Sequence, residues 1–403
     1  MERQQLEALD ARDPLSRIRS RFFLREGLIY MDGNSLGPLS ESARVAVERM
    51  TAQWRDELIS GWFRGGWIEA PTRIGARIAR LIGARPEEVV VTDSTTVNLY
   101  KLASAALEQR PGRSVLLTLE GDFPTDRYVA VDLAEQNGTN VVQVAADELE
   151  AALDGNVALL MLTHVDYRTG RLHDMAGLTR AAHDAGALVL WDLCHSVGAL
   201  PVDLSGCDVD LAVGCTYKFL NGGPGAPAFV YVPGRLARDL RSPISGWWSH
   251  LDTFRFAERY QPAADARRFL AGTPGMFGMA ALEGALQVWD EVDIADVRAK
   301  SVSLGQALIE LVEEHCAGSG VEVASPRDCA QRGSQVSLRH PQAERLTREL
   351  TRREVITDFR PPDLVRFGLT PLYTGFTDIW DVVERLGEAL AAIAAVPEGM
   401  PVS

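Results

Sequence analysis

Val157–Leu193, VALLMLTHVDYRTGRLHDMAGLTRAAHDAGALVLWDL, decides the fold class. It opens on the apolar run Val157–Val165 and closes on another, Ala187–Leu193. A strand with one face in water alternates apolar and polar residues, whereas an unbroken apolar run predicts a strand covered on both faces, as in a parallel sheet. Between the two runs, MAGLTRAAHDAG has helical spacing and stops at Gly186, which can enter left-handed backbone and close the helix. The same alternation extends from about Pro86 to Val232, where Asp210–Tyr217 and Pro227–Pro233 predict two more strands. This is the pattern of a βαβ-type sheet.

The C-terminal third reads differently. Gly278–Val292 and Ile294–Cys316 predict helices, Gln335–His340 and Leu364–Pro371 predict strands of a smaller sheet, and Thr377–Val396 predicts a final helix. The expected organisation is a large, mainly parallel α/β domain over residues 65–270 and a smaller α/β domain over 271–403. Residues 1–64 are expected to contribute to the smaller domain and to contacts between subunits.

The bulk composition narrows the function classes. The chain has 403 residues, 46% of them hydrophobic and 24% charged, with a net charge of −14. That charge argues against a nucleic-acid surface, because backbone phosphates would be repelled. No apolar run approaches the roughly 20 residues that span a bilayer. The charged N-terminus lacks the apolar segment of a secretory signal. Together these favour the cytoplasm. The five cysteines form no CxxC pair and the seven histidines no HExxH cluster, so no metal is expected.

Lysine usage is unusual. Of 41 Lys plus Arg, only Lys101, Lys218 and Lys300 are lysines, so chemistry that needs a side-chain amine has three candidates. Lys218 lies in VGCTYKFLNGGPGAPAF, at the end of an apolar strand and before a run of glycines that allow a constrained turn. Apolar surroundings would lower its pKa and free the amine as a nucleophile; the alternative is a lysine that snorkels out of a strand end. Asp192 ends the preceding strand, with His195 three residues on. Residues at the carboxyl ends of parallel strands face the ligand crevice. A lysine and an aspartate placed there are what pyridoxal 5′-phosphate (PLP) needs: an amine to bind it covalently and a carboxylate to keep its pyridine nitrogen protonated. The alternative for Asp192 is a cap on the next segment. A phosphate site is expected at Ser94, Thr95 and Thr96, where a strand gives way to a helical pattern and backbone N–H groups are free. GDFPTDRY supplies Phe123, able to stack on a ring, and Asp126.

Tyr30–Ser40 (YMDGNSLGPLS), Thr92–Lys101, Asp122–Asp126, Trp191–Ala199, Gly214–Phe229, Gly246–His250 (GWWSH), Arg268–Pro274 and Leu364–Tyr373 resemble, in the same order, motifs of kynureninases. The resemblance covers about residues 30 to 375. It implies a fold-type I PLP-dependent, transferase-like fold and a homodimer. The implied reaction is hydrolysis of L-kynurenine to anthranilate and L-alanine, as in tryptophan breakdown and the kynurenine route toward NAD. It also implies roles. Lys218 would hold the cofactor, Asp192 its pyridine nitrogen, and His195 would lie close to the ring. Phe123 would stack over the ring, with Asp126 and Thr169 as further contacts. Thr95, Thr96 and Tyr217 would bind the phosphate side, Tyr217 also relaying a proton. Trp247 and Thr273 would reach the phosphate from the partner subunit. Arg366 would hold the substrate carboxylate, with Asn34 and Trp67 also at the substrate. Trp67 falls where the family varies between tryptophan and histidine, which implies a preference for L-kynurenine over its 3-hydroxy form. Two alternatives stay open: a cysteine desulfurase using Cys329 on a polar loop, and a non-catalytic module that retains the fold.

Overall fold

The computed structural model describes residues 1–395; Val396, the last residue of the predicted C-terminal helix, lies outside the described residues. A seven-stranded sheet forms the centre. Its strands are β1 (Val89–Val91), β2 (Val115–Leu119), β3 (Asn140–Val144), β4 (Val157–Thr163), β5 (Leu188–Asp192), β6 (Leu211–Gly214) and β7 (Phe229–Tyr231). Their order is β1-β7-β6-β5-β4-β2-β3. Strands β6, β5, β4, β2 and β3 pair in parallel, and β7 runs antiparallel to both of its neighbours. Every residue of β4 and β5 is buried, as their unbroken apolar runs predicted. Side chains alternate between faces with a period of two. Leu160, Leu162, Val189 and Trp191 therefore enter one core, while Leu159, Met161, Leu188 and Leu190 enter another on the opposite face.

The helices close these faces. Helix α1 (Thr95–Glu108) follows β1, α2 (Pro124–Asn137) follows β2, and α3 (Met175–Asp184) joins β4 to β5. The α3 start is capped by Asp174, whose carboxylate accepts the Gly177 N–H at 3.0 Å. Its end is turned by Gly186 at φ +75°. Trp191 is held in place by burial and by its indole N–H, which donates to Thr179 of α3 at 3.1 Å.

A second, antiparallel sheet of four strands is built from β8 (Glu322–Val323), β9 (Gln335–Arg339), β10 (Asp358–Arg360) and β11 (Leu364–Gly368), in the order β10-β11-β9-β8. It shares a core with helices Ile294–His315, Ala343–Arg352 and Phe376–Ala394, and with Leu6, Ile29 and Met31 from the N-terminal segment.

The core of the large sheet extends past residue 270. Met279, Leu282, Leu286, Val288 and Trp289 pack with it, as do Leu15, Ile18 and Phe22. Helix Met276–Ala285 lies against helix Glu41–Glu57 so closely that a Cβ on Gly284 would sit 2.5 Å from the Ser42 carbonyl oxygen. Small residues at this seam allow the approach, which spacing along one helix does not reveal. The segment predicted as one helix to Val292 turns into a 3₁₀ helix at Leu286–Asp290.

Candidate active site

The parallel strands end along one edge, and a cleft of about 530 Å³ opens there. Register places Thr163 at the end of β4 opposite Asp192 at the end of β5. Just beyond β6 the chain turns through Tyr217 and Lys218. The turn is closed by Asn221 N–H to the Lys218 carbonyl (2.9 Å) and Gly222 N–H to the Thr216 carbonyl (2.9 Å), with Asn221 in left-handed backbone at φ +56°. The N-terminal segment braces it: Gly37 N–H donates to the Tyr217 carbonyl at 2.7 Å, and a Cβ on Gly37 would lie 2.4 Å from the Lys218 carbonyl oxygen. Glycine at that position of DGNSLGP is therefore required by close backbone approach.

The three lysines separate cleanly. Lys101 is fully buried, its Nζ 2.7 Å from Asp93 Oδ2 and 2.5 Å from the Phe269 carbonyl. Lys300 Nζ lies 2.7 Å from Asp13 Oδ2 and 2.6 Å from the Pro371 carbonyl. Both amines are committed to interior pairing. Lys218 lines the cleft, its Nζ 2.9 Å from His195 Nε2. Burial, together with the neighbouring Lys218 charge, holds His195 well below the usual histidine range, so its ring is neutral and able to accept from the lysine.

Carboxyls gather on the other side. Asp192 Oδ1 accepts the Cys194 N–H at 2.7 Å, and burial raises its pKa. Asp126, in the first turn of α2, is 1% exposed; no N–H or hydroxyl donor reaches its oxygens, and its one side-chain neighbour within hydrogen-bond reach is the Asp192 carboxyl. Burial and then the Asp192 charge push it well above the carboxylate range. Asp122 accepts from Thr163 Oγ1 at 2.5 Å, and burial pushes it up to about 6. A buried carboxyl without a partner costs free energy. A protonated ring nitrogen presented to Asp192 and Asp126 would remove that cost. Helix α1 begins with Thr95 and Thr96 in the cleft, capped by Ser94, whose Oγ accepts from Val97 N–H at 3.4 Å. An anionic group fits that helix start. The donor set thus fits a phosphorylated pyridine aldehyde.

The remaining predicted residues divide into two sets. Phe123 and Tyr217 line the cleft, Phe123 meeting Tyr167 edge-to-face at 5.2 Å between ring centroids. Thr169 does not line it: its N–H and hydroxyl both turn to Asp166, closing the loop onto itself. Thr163 and Tyr167 hold the cleft positions in that segment. Arg366 is 1% exposed in the middle of β11, its Nη1 donating to the Tyr167 carbonyl at 2.6 Å. Asn34 is fully buried, with Nδ2 donating to Gln335 at 2.9 Å and Oδ1 without a partner. Trp67 lines a different crevice, of about 560 Å³, between helices Glu41–Glu57 and Met276–Ala285. Its indole N–H lies 3.3 Å from Gln53 Oε1, and its ring meets Trp62 edge-to-face. Trp247 and Thr273 do not line the cleft of their own chain; Trp247 is 36% exposed beside Phe254 and Phe256, and Thr273 is exposed.

Curated relatives align with this sequence along nearly the whole chain. A kynureninase from Pseudomonas fluorescens is 46% identical over 95% of this chain and 94% of its own length. One from Burkholderia mallei is 44% identical over 96% and 95%. The chain belongs to the kynureninase family. The family model "Kynureninase C-terminal domain" matches residues 297–386. Among solved structures, cysteine desulfurases from Escherichia coli and from Thermococcus onnurineus NA1 each superpose with a TM-score of 0.80, covering 94% of this chain and 98% of theirs, at 18% identity. That likeness shows the fold, fold-type I α/β, and no more.

A desulfurase reading needs a reactive thiol at the cleft. Cys329 is exposed in a 3₁₀ turn and is not among the residues lining the cleft; Cys194, which is, has its thiol pushed up well above the usual range by burial and so stays protonated. Cleft-lining residues that the sequence reading did not single out include Asp93, Thr125, Thr163, Tyr167 and Cys194, with Asp122 behind Thr163. Thr163 had a usable signal, since the last residue of one parallel strand lies beside the last residue of the next. Among the described residues no helix is long and apolar enough to cross a membrane.

Proposed function

We propose that this protein uses PLP to hydrolyse L-kynurenine, adding water across the Cβ–Cγ bond to release anthranilate and L-alanine. The observation that carries the proposal is Lys218, the one lysine at the cleft, lining it together with buried acids and a helix start, in a chain of the kynureninase family. The bound cofactor supplies an electron sink for the charge left at Cα and Cβ. Lys218 holds the cofactor and then, as a free amine, takes the proton from Cα. Neutral His195 accepts a hydrogen bond from it and keeps its Nζ over the cleft. Asp192, backed by Asp126, keeps the pyridine nitrogen protonated. Ser94, Thr95 and Thr96 bind the phosphate. Tyr217, whose hydroxyl is raised by burial and so carries its proton at neutral pH, is placed to donate that proton when the carbon–carbon bond breaks. Arg366 holds the substrate α-carboxylate.

The working unit is proposed to be a homodimer in which the partner subunit's Trp247 and Thr273 complete each cleft. Exposure of Trp247 within a cluster of exposed aromatics supports this, since contiguous apolar surface of that kind is normally covered. The same association would have to bring the partner subunit's Trp67 to the substrate ring. The proposed location is the cytoplasm, in keeping with five free thiols. The test is incubation of the purified protein and PLP with L-kynurenine, following loss of substrate absorbance and gain of anthranilate fluorescence. Absence of turnover overturns the proposal.

A further inference from the structure

Arginine binds carboxylate best through two parallel N–H bonds from one edge of its guanidinium. In this protein the Nε–Nη2 edge of Arg366 is already taken. Nε donates to Asp358 Oδ1 at 2.7 Å and Nη2 to Asp358 Oδ2, because Asp358 is its register partner on β10. Ser35 Oγ seals that edge, accepting from Nη2 at 2.9 Å and donating to Asp358 Oδ2 at 2.7 Å. Nη1 has one bond, to the Tyr167 carbonyl. A substrate carboxylate therefore meets a single spare N–H on Arg366, too little for firm capture.

A second guanidinium stands beside it. Arg360 Nη2 lies 2.7 Å from the same oxygen, Asp358 Oδ2. Its Nη1 donates to the Phe359 carbonyl at 3.1 Å, which leaves three of its five N–H groups without a protein partner. Its side chain is 32% exposed, whereas that of Arg366 is 1% exposed. Electrostatically, Arg360 acts on both His195 and Tyr167, two residues of the cleft wall. Asp32 nearby is raised to about 6, by burial first and then by the charge of Asp358, so its negative charge is easily given up when another anion arrives.

We propose that Arg360 is a second binding residue for the substrate α-carboxylate, sharing it with the one spare N–H of Arg366. The inference rests on the proposed function above. Asp358 acts through both arginines, fixing the edge each presents.

The test uses the holoenzyme with Arg360→Gln and Arg360→Lys. In Arg360→Gln, KM for L-kynurenine should rise about tenfold or more, the scale of a lost charge-assisted hydrogen bond, with kcat changed far less. Spectral titration of the bound cofactor supplies the second readout. The Kd of L-alanine, which carries the carboxylate, should rise by a similar factor in Arg360→Gln and recover in part in Arg360→Lys. The Kd of ethylamine, which lacks the carboxylate, should not move. An unchanged L-alanine Kd, or equal weakening of both amines, overturns the role of Arg360. If the unmodified protein neither turns over L-kynurenine nor responds to L-alanine, the functional reading fails and takes this inference with it.

Discussion

Asp126→Asn should make the cofactor-free protein more stable while weakening its response to PLP. Asp126 is 1% exposed, no N–H or hydroxyl donor reaches its oxygens, and its carboxyl meets that of Asp192. Two such acids form a mutual hydrogen bond only when one of them is protonated. An asparagine amide donates to Asp192 without needing a proton. Leaving a buried polar group unsatisfied costs about 1–3 kcal/mol. At roughly 1 °C per kcal/mol for a protein of this size, relief of that cost raises Tm by about 1–4 °C. The pH dependence has a definite sign. A carboxyl raised by folding contributes stability that is complete below its unfolded pKa, near 3.8, and is lost as pH rises through the folded value. Asp126 and Asp192 are raised, and Asp122 to about 6, so the cofactor-free protein loses stability as pH rises from about 4 to above 6. The Tm gap between variant and unmodified protein should therefore be wider at pH 8 than at pH 5. Added PLP should stabilise the unmodified protein more than the variant, because it binds only the folded state and the variant binds it less tightly. Thermal unfolding followed by fluorescence, with and without PLP at both pH values, measures all of this. A variant less stable than the unmodified protein at pH 8, or equally stabilised by PLP, refutes the reasoning.

Three further outcomes are expected. Borohydride reduction of the PLP-loaded protein, followed by peptide mapping, should place the pyridoxyl group on Lys218; a label on Lys101 or Lys300 contradicts the assignment. Trp247→Ala mixed with Lys218→Ala should recover activity on subunit exchange, since mixed dimers hold one cleft with neither lesion, and no recovery despite proven exchange means that Trp247 acts within its own chain. L-kynurenine should be the better substrate by kcat/KM. An indole offers one donor and no acceptor to a 3-hydroxyl, and an unsatisfied hydroxyl costs roughly ten- to a hundred-fold; Trp67→His should narrow that gap, and equal specificity in the unmodified enzyme defeats this role for Trp67.

The sheet was legible in the sequence because its evidence is local. Unbroken apolar runs at Val157–Val165 and Ala187–Leu193 mark strands buried on both faces, and the carboxyl ends of such strands face the crevice, so the position of Asp192 at the cleft was legible from the sequence. Lys218 stood out for a similar reason: there are only three lysines, and one of them follows a strand end. What each polar side chain is bonded to is not local. Pairing across strands gave the fork of Arg366 to Asp358 and left Arg360 as the more exposed cation. The Asp166 turn took Thr169 away from the cleft and register put Thr163 there instead. Close helix packing at Gly284 drew residues 276–290 into the large core. Amino-acid order sets which groups can ionise, donate or cover a strand. Which of them remain without a partner at the cleft depends on contacts between distant segments, and only the tertiary structure decides that.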